Sequence, residues 1–304
     1  MSKPQIHKGS YFYGALLVFF GSIFYSSKAV IVKLAYQYDV DSISLLALRM
    51  SFAIPVFLII GLIKLKQNPE SQKVLRQNWW QVILMGACGY YLASLFDFLG
   101  LQYITASMER VVLFTYPTIV LLISAIFLKK QIVKRQVLAL LITYMGIAIA
   151  FYSSLSDTEQ ENFILGSLLV FGAAISYSIY IVGSGELLPK LGTQLYNSFA
   201  MLAAGIAIVI HHYFTNGLAL FDFEMEVYAY AFLMAMIATV VPSFLVAEGI
   251  RIVGANNSGL IGSIGPISTI VLAYIFLGER LDLYQWFGTL LVIGGVLMIV
   301  LWKK

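Results

Sequence analysis

Long apolar runs alternate with short polar breaks along the whole chain. Ten runs can be marked, at approximately 14–37, 42–65, 79–103, 108–128, 135–153, 163–187, 193–214, 227–251, 255–277 and 284–302. Each is close to the roughly 20 residues that cross a hydrocarbon core at a rise of 1.5 Å per residue. The breaks carry charge or turn residues: YDVD, KQNPESQKVLR, KKQIVKR, SDTEQEN, FDFEMEV and GERLD. The pattern predicts an all-α membrane protein with ten transmembrane helices. The first run is too long for a signal peptide, has no small-residue cleavage site and is followed by further spans, so it is predicted to stay.

Composition sharpens this class. Of 304 residues, 60% are hydrophobic and 11% charged, with mean hydropathy +0.88, whereas a soluble chain carries roughly 25% charged residues. The single cysteine, Cys88, excludes an intramolecular disulfide. Charge distribution sets orientation. With a cytoplasmic N-terminus, Lys3, Lys8, Lys64, Lys66, Lys73, Arg76, Lys129, Lys130, Lys134, Arg135, Lys190, Arg251, Lys303 and Lys304 fall inside, and only Arg280 falls in an outside loop. That bias places both termini in the cytoplasm. The basic loops need no nucleic-acid partner to explain them.

The two halves resemble each other. GALLVFFGSIFYS (14–26) and GSLLVFGAAISYS (166–178) share eight of thirteen positions. YPTIVLLISAIFLKKQI (116–132) aligns without a gap on GPISTIVLAYIFLGERL (265–281), setting Pro117 against Pro266 and, in the same register, Ser94 against Ser243. Five spans per half is an odd number, so the second half is predicted to insert upside down. The repeats are residues 1–153 and 163–304. Inverted repeats are a transporter architecture with the substrate near the midplane between the halves.

These features resemble the drug/metabolite transporter superfamily with EamA-type repeats. PISTIVLAYIFLGERL is similar to the family's proline span ending in Gly-Glu, here Gly278 and Glu279, while the first half has Lys129 and Lys130 in those places. VKLA (32–35) and LALRM (46–50) resemble its first hairpin. The resemblance covers essentially the whole chain. It implies a secondary carrier, most often an exporter of amino acids, metabolites or drugs, with peripheral fifth and tenth spans and a place in a bacterial cytoplasmic (inner) membrane.

Polar residues inside the spans are the candidate site. Lys28 lies about three residues past the middle of its run, roughly 5 Å from the midplane, where an isolated charge costs at least a few kcal/mol. Asp97 is its expected partner. Tyr90, Ser94 and Asp97 are spaced i, i+4, i+7, as are Gly21, Tyr25 and Lys28, giving two stripes of matching polarity at matching depth. Glu109 and Arg110 open the fourth span, and Arg49 is within expected reach of Glu109. Either Asp97 or Glu109 is a candidate carrier of a coupling proton. Tyr25, Tyr116 and Tyr177 are expected to supply hydrogen-bonding aromatics, with Ser94 and Ser243 beside them. Pro117 and Pro266 should free the carbonyls of Leu113 and Gly262 near the cavity. Glu248 and Arg251 are read as an inner gate or a snorkelling anchor. A charge network that only staples helices is the structural alternative for the ionisable group.

No phosphate-binding G-x-x-x-x-G-K-[ST] loop is present, and one Cys with three His leaves no legible metal site or cofactor. The reading is a transporter, not an enzyme, moving a small metabolite by alternating access between lipid-embedded repeats. The mixture of charges suits an amino acid or another zwitterion. The alternative is an uncoupled channel or facilitator for small solutes.

Overall fold

The computed structural model describes residues 8–129, 131–154, 162–185, 187–253, 258, 261–262 and 264–301. Among the described residues there is no strand. In chain order the helices are α1 (Lys8–Ala35), α2 (Ser42–Gln67), α3 (Pro69–Gly86), α4 (Ala93–Leu101), α5 (Ala106–Leu113), α6 (Tyr116–Phe127), α7 (Lys134–Ser154), α8 (Phe163–Gly183), α9 (Leu188–Leu191), α10 (Thr193–Asn216), α11 (Met225–Ala235), α12 (Val241–Val253), α13 (Ile264–Leu277) and α14 (Leu283–Leu301). Seven helical segments are long and apolar enough to cross a membrane, and three shorter apolar helices fall at 136–152, 264–277 and 283–298. The shorter three coincide with the expected fifth, ninth and tenth spans.

Local chemistry sets the starts. Asp41 Oδ1 accepts from Ile43 N and Ser44 N, at 2.9 and 3.0 Å, and so caps α2. Asn68 accepts from Ser71 N while Pro69 fills the first helical position of α3. Both devices satisfy backbone donors that a helix cannot satisfy internally. Two π-helical turns interrupt the long spans. Ala87–Leu92 separates α3 from α4, and Met236–Val240 separates α11 from α12.

Contacts recur at fixed sequence offsets. A Cβ on Gly249 would come within 2.9 Å of the Gly14 carbonyl oxygen and 2.4 Å of Val18; on Gly100 it would meet the Gly166 oxygen at 2.9 Å and Val170 at 2.5 Å. So α1 crosses α12, and α8 crosses α4, at backbone distance, which only small residues permit. The same pairing reappears at the prolines. Ser26 Oγ donates to the Gly265 carbonyl and Ser178 Oγ to the Tyr116 carbonyl, both at 3.0 Å. The π turns start 149 residues apart, the offset that also relates Gly100 to Gly249 and Pro117 to Pro266. Each half therefore packs its first helix on helices of the other half. Helices α7 and α14 pack chiefly on one another, across Gly146 and Gly288.

The two ends of the bundle differ. At one, Lys64, Asn68, Ser71, Thr193, Gln194 and Glu248 are among the residues lining a cavity of about 700 Å³. At the other, Asp41 meets Asn216 at 3.0 Å and Glu279 meets the start of α5 at 2.8 Å.

Candidate functional site

Helices α1, α4 and α5 bring four ionisable side chains together. Lys28 Nζ donates to Asp97 Oδ2 in an ion pair, and lies 3.7 Å from Glu109 Oε1. Arg110 Nε lies 3.7 Å from Glu109 Oε2. The Asp97 and Glu109 side chains are 2% and 0% exposed. Two partly exposed cations thus face two buried carboxylates, and the pairing with Asp97 answers how Lys28 is held inside the apolar run. Adjacent helical residues point about 100° apart. Glu109 and Arg110 nevertheless lean together, because Glu109 lies between the two cations.

The pairing is incomplete. Asp97 Oδ1, both Glu109 oxygens, and Arg110 Nε and Nη2 are buried without a hydrogen-bond partner. An ion buried without hydrogen bonds costs several kcal/mol of desolvation that Coulomb attraction repays only with good geometry. The cluster thus retains two carboxylates and a guanidinium edge with hydrogen-bonding capacity unused.

Arg49 does not reach Glu109, contrary to the sequence expectation. Helix α2 packs on α10 and α11, turning Arg49 toward the second π turn, where Nε donates to Thr239 Oγ1 at 2.9 Å. Its guanidinium lies 5.6 Å from the Phe98 ring centroid, a cation–π distance. Tyr25 donates to Ser243 Oγ at 3.0 Å, and Ser243 donates on to the Thr239 carbonyl. Tyr25, Ser243, Thr239 and Arg49 therefore form one chain of contacts beside the charge cluster.

Tyr90 departs from the predicted stripe. It bonds Tyr180 at 2.9 Å and Asn197 at 3.4 Å, while Asp97 faces Lys28. The π turn at Ala87–Leu92 puts an extra residue between them, so α-helical spacing no longer predicts a shared face. Ser94, half-buried on α4, lies between these two environments in the chain.

Rings continue from the charges toward the cavity. Tyr116 and Tyr177 stand edge to face at 5.2 Å, Tyr177 stacks on Tyr180 at 5.8 Å, and Tyr180 contacts Tyr196 at 6.2 Å. Tyr196 follows Leu195, a lining residue of the 700 Å³ cavity. The serine contacts at the prolines fall three residues beyond the carbonyls of Leu113 and Gly262, on those of Tyr116 and Gly265. Pro117 is the second residue of α6, after a break at Phe114–Thr115, and the serine hydroxyls meet the carbonyls just before Pro117 and Pro266 rather than those of Leu113 and Gly262. Glu248 lines the cavity; the side chain of Arg251 lies outside the described residues.

Sequence reasoning missed Asn197, Thr239 and Glu279 as working groups. Asn197 and Thr239 are polar residues in apolar runs, but their type alone is a weak signal. Glu279 was visible as part of Gly-Glu without a partner to assign.

A bundle of long apolar helices, with an incompletely paired ion cluster between matched crossings, defines a polytopic membrane protein with a polar interior. The chain belongs to the EamA-like transporter family, whose sequence model matches residues 12–152 and 164–301. YcbK of Bacillus subtilis (strain 168), an uncharacterised transporter, is 29% identical over 291 residues, covering 94% of this chain and 91% of its own. YyaM of the same organism, also an uncharacterised transporter, is 26% identical over 83% of this chain and 82% of its own. A solved crystal structure 16% identical in sequence matches 94% of this chain and 95% of its own with a TM-score of 0.64, which establishes a shared fold.

Proposed function

We propose that the protein is a secondary active exporter of a small zwitterionic metabolite, an amino acid being the simplest case, working by alternating access in the cytoplasmic membrane. Ten spans in two inverted repeats, 1–153 and 163–304, would carry it, with both termini and the 700 Å³ cavity on the cytoplasmic side. The recurring crossings at Gly14–Gly249 and Gly100–Gly166 support that arrangement.

The observation that carries the reading is the set of buried polar atoms on Asp97, Glu109 and Arg110 that have no hydrogen bond and, on Glu109, only ion pairs at 3.7 Å. A substrate carboxylate completes the guanidinium edge of Arg110, and its ammonium completes the Glu109 oxygens. Tyr25, Ser94, Tyr116, Tyr177 and Ser243 line the approach, with Pro117 and Pro266 at its helix breaks and Glu248 and Arg251 at its inner mouth. Asp97 is engaged by Lys28, whereas Glu109 has no hydrogen bond, so Glu109 is our choice for the group that carries a coupling proton.

The test begins with metabolite comparison of deletion and overexpression strains, followed by exchange of the accumulating compound in proteoliposomes. Arg110→Gln is expected to lower exchange at least tenfold in protein that elutes as the parent does. Parent-like exchange by Arg110→Gln would remove the site from the pathway. Uncoupled flux down a gradient would favour the channel reading.

A further inference from the structure

We infer that Glu279 is the latch of the outer gate, an inference that rests on the carrier reading above. Helix α13 ends at Leu277, and Gly278 follows with φ +68, the left-handed region that glycine enters without strain. That turn sends Glu279 across to the start of α5, 173 residues earlier in the chain. Oε1 accepts from Ala106 N at 2.8 Å, and Oε2 accepts from Ser107 N at 3.0 Å and from Ser107 Oγ at 2.7 Å. Thr105 Oγ1 takes the next donor, Met108 N, at 3.1 Å.

The clasp joins moving parts. Its carboxylate comes from the second half and its donors from the first, so halves that rock apart at this end must break it. It is also strong for its size, because the acceptor is ionised and sits at a helix N-terminus. Glu109 and Arg110 are two and three residues beyond Ser107 on the same short helix, about 3–4.5 Å along its axis. Releasing α5 would therefore uncover the ion cluster directly. At the opposite end the cavity lies open, and the stacked tyrosines stand between it and the cluster. In the carrier reading this is a cavity facing the cytoplasm with the outer end latched.

Glutamine at 279 retains one acceptor oxygen and presents an NH2 group, which cannot accept from a backbone N–H. In a Cys88→Ala background, Ser94→Cys reports the pathway to a membrane-impermeant thiol reagent, applied to right-side-out and to inside-out vesicles. Glu279→Gln is expected to raise labelling from the outside at least threefold. Linking Ser107→Cys to Glu279→Cys with a short bifunctional thiol reagent, applied before Ser94→Cys is labelled in a separately protected sample, is expected to reduce outside labelling below that of the parent. Elution profile and the cross-linked protein control for an effect of Glu279→Gln on folding. Unchanged outside labelling in both, with the position still labelled from the inside, overturns the latch alone. A position 94 that is labelled from neither side overturns the carrier reading of the site instead.

Discussion

Lys28 and Tyr180 occupy matched positions 152 residues apart in the two halves, yet one is an ammonium bound to Asp97 and the other a phenol bound to Tyr90 and Asn197. The surroundings change with the side chain. Around Lys28 the partners are carboxylates with almost no exposure; around Tyr180 they are neutral hydroxyls and an amide beside the cavity end. Matched crossings hold both in place, so packing is shared while polar chemistry is not. A neutral hydrogen bond can exchange with water at modest free-energy cost, whereas an ion pair out of water cannot be opened without a replacement partner. The tyrosine end can therefore be rearranged at less cost than the ionic end.

Removing one charge should have the largest effect. Lys28→Met or Asp97→Leu alone leaves an unpaired buried ion, expected to cost about 3–5 kcal/mol, read as a lowered Tm in detergent. The double variant should recover most of that loss, since two apolar residues carry no ionic desolvation. If neither single variant lowers Tm, the ionic end is no more demanding than the phenolic one and the comparison fails. Tyr90→Phe should cost only about 0.5–1.5 kcal/mol, because Tyr180 still bonds Asn197 at 3.0 Å. A loss equal to that of Lys28→Met would erase the contrast between the ends.

The smallest effect tests the loops. Gly278 has φ +68, and Lys129, its mate 149 residues earlier, has φ +53. The same left-handed turn is thus made with and without a Cβ. Lys129→Gly should raise stability by about 0.5–1 kcal/mol by relieving that conformation, measured as a higher Tm. A lowered Tm would mean that the Lys129 side chain contributes more than its backbone strain costs.

Much of the helical framework was legible in the chain because apolar runs of spanning length need no partner to be recognised. Lys28 with Asp97 was legible because opposite charges lay at matching depth in two apolar runs, although the stripe drawn through Tyr90 did not hold. Arg49 was not. Its choice of Thr239 over Glu109 depends on how α2 packs, and no spacing rule encodes that. The partner of Glu279 was hidden for a related reason, since hydrogen bonds to backbone N–H groups leave no mark on residue type. The prolines flagged the neighbourhood, but the serines that meet the carbonyls of Tyr116 and Gly265 are set by the α1 and α8 crossings, which no spacing rule encodes.

The two π turns have a mechanical consequence. Each carries a surplus residue, so the helix beyond it is out of phase with the helix before it. Shifting a bulge by one residue exchanges an i→i−5 bond for an i→i−4 bond without unravelling the span. The phase slip can then travel along the axis like a dislocation in a crystal. Both ends of the rod keep their docking, and only the residues that the bulge passes change face, by about 100° each. In the third span, the residues just beyond the turn begin the segment Ala93–Leu101 that carries Asp97.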